Sequence, residues 1–298
     1  MSIQRKKLNI GKARRRVQMR SALLLTAGAC VLVSFVRLLL AADIPYILRW
    51  LLEMLTTLTV FGGGAYLGLC VLDGDHRKIV PLKRLSRGQI RWLILLGVLA
   101  GAPLALARDL IAALFEGQNV FAFVPAMDCA RFTAMFVKSV LLTPVCEELF
   151  FRGYLFPALK PQGNLRAAVV VSLCFALVHA AGIANSCAYV LLSLLLCWIA
   201  LHTQSLVAPV IVHACYNLAL LVMGSAGLAG LMSGWSLISC VIRLALSAAF
   251  VFVLKKAYLA RPAGGMFALW EGGKPEKREI LLFVCAGVLI FATLIMGG

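Results

Sequence analysis

The apolar residues of this 298-residue chain fall into long runs, without the short alternating stretches of a membrane β-barrel. Runs of about 18 or more apolar residues recur along the sequence, and each can cross the hydrocarbon layer as a helix. Backbone polar groups in lipid must be satisfied within their own segment, which favours helices. We therefore predict an all-α, polytopic transmembrane helix bundle of about 8–9 spans. The predicted spans are 21–42, 51–72, 90–107, 131–157, 165–182, 185–202, 206–223, 235–255 and 280–296.

The segments between these runs divide the chain into four parts. Residues 1–20 form a basic arm, 21–130 supply the N-terminal membrane helices, 131–225 hold the deep polar residues, and 226–298 supply the C-terminal membrane helices. A partly apolar stretch at 110–124 is expected to be interfacial or re-entrant. No separate soluble domain is predicted.

Composition agrees with a membrane protein, since 62% of the residues are hydrophobic and 14% are charged. The formal net charge is +17, and the basic residues gather in segments that alternate along the predicted topology. Such clusters are typical of cytoplasmic loops. We expect a multi-pass protein of the cell membrane, with a cytoplasmic N-terminus and a C-terminus outside. The clusters suit anionic headgroups of the lipid bilayer, and without a recognised nucleic-acid motif no nucleic-acid partner is expected. The predicted cytoplasmic segments are 1–20, 73–89, 158–164, 203–205 and 256–279.

Two adjacent acids stand apart from the rest. Of the 12 Asp and Glu residues, ten are expected in loops or near span ends, whereas Glu147 and Glu148 lie well inside the span 131–157. A charge deep in a membrane costs a few kcal/mol, and two neighbouring carboxylates need a partner. Arg152 follows Glu148 by four residues and can pair with it on one helix face. Glu147 then points about 100° away, as a candidate general base.

Two histidines are also expected inside spans. His179 follows Phe175 by four residues, and Asn217 follows His213 by four, so each pair shares a helix face. Counted at about 1.5 Å per residue from the cytoplasmic ends, Glu147 and His213 lie roughly 10–15 Å deep and His179 lies ~20 Å deep. These depths are compatible with one polar site built from three helices. A single histidine inside a membrane span is a hydrogen-bonded packing residue about as often as it is a functional one.

Arg37, Lys138 and Arg243 also lie inside predicted spans and are assigned no catalytic role. Arg37 is close enough to a span end to snorkel. Arg243 is expected to pair with an acid elsewhere in the bundle, and Lys138 is given no partner. Two G-x-x-x-G spacings, at Gly64 and Gly68 and at Gly97 and Gly101, predict close helix packing within the bundle.

The three deep motifs resemble, in order and spacing, the signature motifs of the CAAX-protease and bacteriocin-processing (CPBP) family, also called the ABI family. They are Glu147-Glu148-x-x-x-Arg152, Phe175-x-x-x-His179 and His213-x-x-x-Asn217. The resemblance covers roughly residues 130–225 and makes 131–225 the expected catalytic core. It implies an intramembrane endopeptidase acting on a membrane-associated protein or peptide. The family includes ras-converting enzymes, which remove the last three residues of prenylated CAAX proteins, and bacterial members tied to peptide processing or bacteriocin immunity.

The resemblance also implies roles for the motif residues. Glu147 is expected to activate the attacking water together with His179, while His213 and Asn217 stabilise the oxyanion. Glu148, Arg152 and Phe175 are expected to shape the site. Metal use stays open. Glu147, His179 and His213 are the set that could hold zinc with an open position, as in a metalloprotease, whereas likeness to ras-converting enzymes favours a metal-free reaction.

Two alternatives come from other functional classes. A non-proteolytic membrane immunity or interaction protein would keep the family fold and work by binding. A proton-coupled transporter would also bury carboxylates and histidines, but the sequence has no repeated halves or paired broken helices. The complete set of motifs speaks against the binding protein, which would not need every catalytic position.

Overall fold

The computed structural model describes residues 3–40, 44–71, 82–115, 128–179, 181–228, 231 and 235–259. Within these ranges the chain is almost entirely helical, and an antiparallel bridge between Leu82 and Ser205 is the only strand-like pairing they contain. The predicted all-α fold is confirmed. The predicted span 280–296, and with it the predicted outside C-terminus, lies outside the described residues.

Eight helices follow one another along the described ranges. Most predicted span ends differ from the helix ends by only a few residues, whereas the first helix begins well before its span and the third ends well after its own. The residues 110–115 of the stretch predicted to be interfacial or re-entrant continue the third helix, and 116–124 lie outside the described residues. The helices are α1 (Ile3–Leu40), α2 (46–71), α3 (Arg87–Phe115), α4 (129–159), α5 (Asn164–His179), α6 (Ile183–Thr203), α7 (Val207–Ser225) and α8 (Leu237–Leu259).

Five helices among the described residues are long and apolar enough to cross a membrane by length and composition. They lie in α1, α3, α6, α7 and α8, so the chain is a multi-pass membrane protein. The predicted number of 8–9 spans is not confirmed. Helix α5 has 16 residues and would rise only about 24 Å, less than the ~30 Å of a hydrocarbon core. Helices α2 and α4 are interrupted by π-helical turns.

Helix α4 owes its irregular winding to two prolines. Its π-helical segments, Phe136–Leu142 and Leu149–Leu155, each end two residues before a proline, Pro144 or Pro157. Proline lacks a backbone N–H and its ring crowds the carbonyl four residues earlier. A wider i→i+5 turn relieves that crowding while the backbone stays helical. The α-helical segment between the two wide turns, Thr143–Glu148, carries both deep glutamates.

Helices α2 and α4 run parallel in a constant register. The indole Nε1 of Trp50 donates to the Ala134 carbonyl at 2.9 Å, a separation of 84 residues. One turn further along both helices, Glu53 and Lys138 form an ion pair across 85 residues. Because the difference in residue number between the contacting residues stays nearly the same, α2 and α4 run in the same direction side by side.

The glycines of the first G-x-x-x-G spacing extend this contact. A Cβ at Gly64 would lie 3.0 Å from the Phe150 ring, and one at Gly68 would overlap the ring of Tyr154. The absence of side chains at these two positions therefore lets the α4 aromatic rings seat against α2. The predicted use of this spacing for packing within the bundle is confirmed.

Helix α3 packs against α6, α7 and α8 in a second part of the bundle. A Cβ at Gly97 would lie 2.6 Å from the Val212 carbonyl oxygen, so α3 and α7 touch through their backbones. Further along α3, the fully buried Arg243 of α8 donates to Asp109 Oδ2 at 2.6 Å. Arg108 donates to Oδ1 of the same carboxylate at 2.7 Å. The expectation that Arg243 pairs with an acid is confirmed, whereas Asp109 is buried rather than in a loop.

Candidate active site

The two adjacent glutamates of α4 have different surroundings. Glu148 Oε1 accepts a hydrogen bond from Arg152 Nη1 at 2.9 Å, and neither side chain is exposed. This confirms the predicted pairing one helical turn apart. Glu147 instead lines a cavity between the helices. Because consecutive helical residues point in different directions, Glu148 pairs with Arg152 while Glu147 faces the cavity.

Arg152 connects three helices. Its Nη2 donates to both the carbonyl and the Oγ of Ser193 on α6, at 2.9 and 2.6 Å. Its guanidinium also lies 5.0 Å from the centre of the Phe175 ring on α5. Ser193 was not singled out in the sequence, where its only signal is a hydroxyl inside an apolar run. The planar guanidinium group suits hydrogen bonding to two residues at once, because its N–H donors point in fixed directions.

His213 of α7 reaches both glutamates. Its Nδ1 lies 2.9 Å from Glu148 Oε1, and its Nε2 lies 3.9 Å from Glu147 Oε2. The carboxylate oxygen that already accepts from Arg152 is an acceptor toward the imidazole as well, so Nδ1 carries the proton. Sequence spacing indicated only Arg152 as the partner of Glu148 and did not predict this contact with His213.

His179 is held at the end of α5 by three contacts. Its Nδ1 lies 2.7 Å from the Phe175 carbonyl, which can only accept, so this nitrogen also carries a proton. The ring lies 4.7 Å from the Phe175 ring and stacks on Tyr189 of α6 at 4.1 Å. Tyr189 was not predicted as a site residue. With Nδ1 fixed as a donor, Nε2 is the nitrogen that can accept a proton.

The four residues predicted to be catalytic line one cavity of about 550 Å³. They are Glu147, His179, His213 and Asn217. Asn217 Nδ2 donates to the Ser139 carbonyl at 2.8 Å, which fixes the plane of the amide. Of the residues predicted to shape the site, Phe175 lines the cavity, whereas Glu148 and Arg152 lie behind its wall.

A further charged pair lines the same cavity. Glu53 of α2 and Lys138 of α4 are in contact, and their side chains are 33% and 19% exposed. The sequence interpretation assigned Glu53 to a span end and gave Lys138 no role. A lysine inside an apolar span was the available signal, and the partner on a distant helix was not predictable from local spacing.

The donor set does not fit a metal centre. Within the described part of the chain, no three His, Cys, Asp or Glu side chains are grouped so as to hold a metal ion. The zinc alternative for Glu147, His179 and His213 therefore has no geometric support.

The model of the family described as Rce1-like, type II CAAX prenyl endopeptidase, matches residues 130–219. This range begins in α4 and ends in α7, so it contains all three motifs. No curated protein and no solved structure matches the chain. The resemblance to the CAAX-protease and bacteriocin-processing family that was drawn from the motifs is confirmed over residues 130–219.

Proposed function

We propose that this protein is an intramembrane endopeptidase that hydrolyses a peptide bond of a membrane-associated protein or peptide. The observation that carries the proposal is the convergence of Glu147, His179, His213 and Asn217 on one cavity inside an apolar helix bundle. The family match over residues 130–219 supports the same reaction class. The basic clusters favour a cell-membrane protein with a cytoplasmic N-terminus and its C-terminus outside.

In the proposed mechanism, Glu147 takes a proton from a water molecule as its oxygen attacks the scissile carbonyl carbon. His179 Nε2 accepts a hydrogen bond from the same water and orients it. The proton held by Glu147 then passes to the leaving amide nitrogen as the C–N bond breaks. One product keeps the new carboxylate and the other keeps the amine.

The oxyanion that forms during the attack needs hydrogen-bond donors. Asn217 has two amide hydrogens, and the one given to the Ser139 carbonyl fixes the group so that the other is available to the oxyanion. His213 has a proton on Nδ1 and becomes a donor at Nε2 only as an imidazolium. Glu148, 2.9 Å from Nδ1, holds this ring in place. This gives Glu148 a positioning role in the site without contact with substrate.

The proposal is tested with the Glu147→Gln variant. Cells that produce the wild-type protein and the variant are compared by proteomics of their membranes for new peptide termini. We expect these termini to disappear, or their rate of formation to fall at least about 100-fold, the lower end of a general-base contribution. Asp128→Asn is the matched control because Asp128 is an exposed N-cap of α4, where Asn caps equally well.

Full cleavage by correctly inserted Glu147→Gln protein would sink the assignment. A cellular phenotype that survives this substitution, with no difference in peptide termini, would instead favour the non-proteolytic immunity or interaction protein. That alternative works by binding and does not need the carboxylate of Glu147. The two outcomes are therefore separable with one variant.

A further inference from the structure

The cavity that holds Glu147 lies towards one end of the helix bundle. Its lining residues on α4 run from Met135 to Glu147, and the rest of that helix, 148–159, contributes none of them. Helices α1 and α5 contribute residues of their last turns, whereas α6 contributes Tyr189 and Leu192 of its first half. Because α1 and α5 run opposite to α4 and α6, these contributions meet at the same end of the bundle.

The other side of Glu147 is closed by a layer of aromatic rings from three helices. This aromatic floor consists of Phe61, Phe150, Phe151, Tyr154 and Phe175. The three rings of α4 are 0% exposed, and the ring centroids of Phe150 and Phe151 lie 5.1 Å apart. Phe151 lies 5.1 Å from Phe175 of α5, and Phe150 lies 5.7 Å from Phe61 of α2. Close-packed interiors leave few voids that hold water, so the aromatic floor separates the cavity from the far end of the bundle.

From Glu147 towards the start of α4 the cavity is lined by polar side chains instead. Thr143, Ser139 and Lys138 follow one another in that direction and form a polar wall. Lys138 pairs with Glu53 of α2, and their side chains are 19% and 33% exposed. Charged groups inside a membrane bundle face its interior or a water-filled space, because lipid cannot solvate them. The partial exposure of this pair therefore indicates that water enters the cavity from this end.

The opposite end of the bundle, beyond the aromatic floor, is strongly basic. It is formed by the end of α4, the start of α3 and the end of α8, and no described Asp or Glu lies there. Its exposed basic side chains include Lys83, Arg84, Arg87, Lys160, Lys255 and Lys256. Lysine and arginine concentrate on the cytoplasmic side of membrane proteins. This basic end is therefore expected to face the cytoplasm.

Distance along α4 does not favour the same direction. Glu147 lies 12 residues before the end of α4 and 18 residues after its start (159 − 147 and 147 − 129), about 18 and 27 Å along the helix axis. The shorter path crosses the aromatic floor, whereas the longer one follows the polar wall. Packing, rather than depth, thus decides from which side water and a peptide reach the carboxylate.

We propose that the cavity takes its substrate from the non-cytoplasmic side of the membrane, so that its substrates are membrane-associated peptide segments exposed on the outer side. The inference rests on the proposed peptidase function and on the cytoplasmic placement of the basic end. A segment on the outer side reaches Glu147 along the polar wall. A segment of a cytoplasmic protein meets the aromatic floor instead.

The accessible side is tested with the membrane-impermeant thiol reagent MTSET on intact cells and on inside-out vesicles that contain the full-length protein. Thr143→Cys places a thiol on the polar wall one turn before Glu147, and Lys160→Cys places one at the basic end. Mass spectrometry localises each modified thiol. We expect Thr143→Cys to react in intact cells, as does the natural exposed Cys129 at the start of α4. Lys160→Cys is expected to react only in inside-out vesicles.

Three results for Thr143→Cys would overturn the proposal: reaction only in inside-out vesicles, reaction from both sides, and reaction from neither side. Reaction of Lys160→Cys in intact cells would also overturn it, because the basic end would then face outside. Ser139→Cys lies on the same polar wall and takes the place of Thr143→Cys if that variant does not fold.

A second measurement distinguishes failure of this inference from failure of the peptidase function. The peptide termini that are lost in Glu147→Gln are mapped onto the two sides of their parent membrane proteins. Termini confined to outward-facing segments support the proposal, and termini in cytoplasmic segments overturn it. If no terminus depends on Glu147, the proposed peptidase function fails, while the thiol reactions still decide which side the cavity faces.

Discussion

Oε1 of Glu148 lies 2.9 Å from Nδ1 of His213, although the two residues are 65 positions apart in the chain. The same oxygen accepts from Arg152 at 2.9 Å, and Arg152 in turn is bonded to Ser193. Four helices contribute to this arrangement if the Phe175 ring beneath the guanidinium is included. Glu148 does not line the cavity, yet it fixes the tautomer of His213, which lines it.

Substitution of Arg152 tests this arrangement. Arg152→Met leaves Glu148 as a buried carboxylate without its cation and should lower the free energy of unfolding by about 3–5 kcal/mol. Arg152→Lys keeps the charge but cannot bridge Glu148 and Ser193 with a planar fork, so we expect an intermediate loss. Unfolding of the purified protein in mixed micelles measures both. An Arg152→Met protein as stable as the wild type would contradict the role given to the pair.

The stacking of His179 on Tyr189 gives a prediction about turnover. Tyr189→Leu removes the ring and should lower kcat about tenfold, because misplacement of a catalytic group by about 1 Å is costly. Tyr189→Phe keeps the ring and should retain most of the activity. Tyr66→Leu is the control, since Tyr66 is 71% exposed on α2. A Phe variant as impaired as the Leu variant would assign the effect to the hydroxyl.

The contact of α3 with α7 predicts a difference between two glycines. Gly97→Ala would set a methyl group 2.6 Å from the Val212 carbonyl oxygen and should destabilise the protein by about 1–3 kcal/mol. Gly28→Ala meets nothing within 4 Å and should be neutral or stabilising by up to about 1 kcal/mol, since alanine favours a helix. Thermal unfolding of the two variants measures the difference. Equal stabilities would show that the backbones do not touch.

The buried acid of α3 predicts a loss of stability without a loss of chemistry. Asp109→Asn removes the carboxylate shared by Arg108 and Arg243 and should lower the free energy of unfolding by roughly 3 kcal/mol. Folded protein should keep its kcat, because none of the three lines the cavity. Asp128→Asn, whose ion pair with Arg131 is exposed, should change stability by less than about 1 kcal/mol. A selective fall in kcat for Asp109→Asn would link this cluster to catalysis.

Local helical geometry explains what the sequence predicted correctly. The helix positions follow from apolar run lengths, and the pairing of Glu148 with Arg152 follows from a four-residue spacing. Contacts between helices depend on register and rotation, which no local spacing encodes. The contacts of Glu148 with His213 and of His179 with Tyr189 were therefore missed.

The depths predicted from the sequence assumed that every span is a straight α-helix of uniform rise and rotation. Helix α4 changes its winding at Phe136–Leu142 and Leu149–Leu155, so residues such as Lys138 face a direction that a regular helix would not give them. The prolines that accompany these segments are visible in the sequence, but the amount of unwinding depends on neighbouring helices.

The pairing of Glu148 with Arg152 within a single helical turn has a consequence for biosynthesis. Isolated charges at the centre of a segment oppose its transfer from the translocon into lipid by about 2.5–3.5 kcal/mol each. Glu148 and Arg152 neutralise each other inside α4. Their pairing therefore does not depend on a helix that is synthesised later. Lys138 finds its partner on α2, which leaves the ribosome earlier. Nascent α4 can thus enter the bilayer with the charges of Lys138, Glu148 and Arg152 already matched, before the histidine of α7 has been translated.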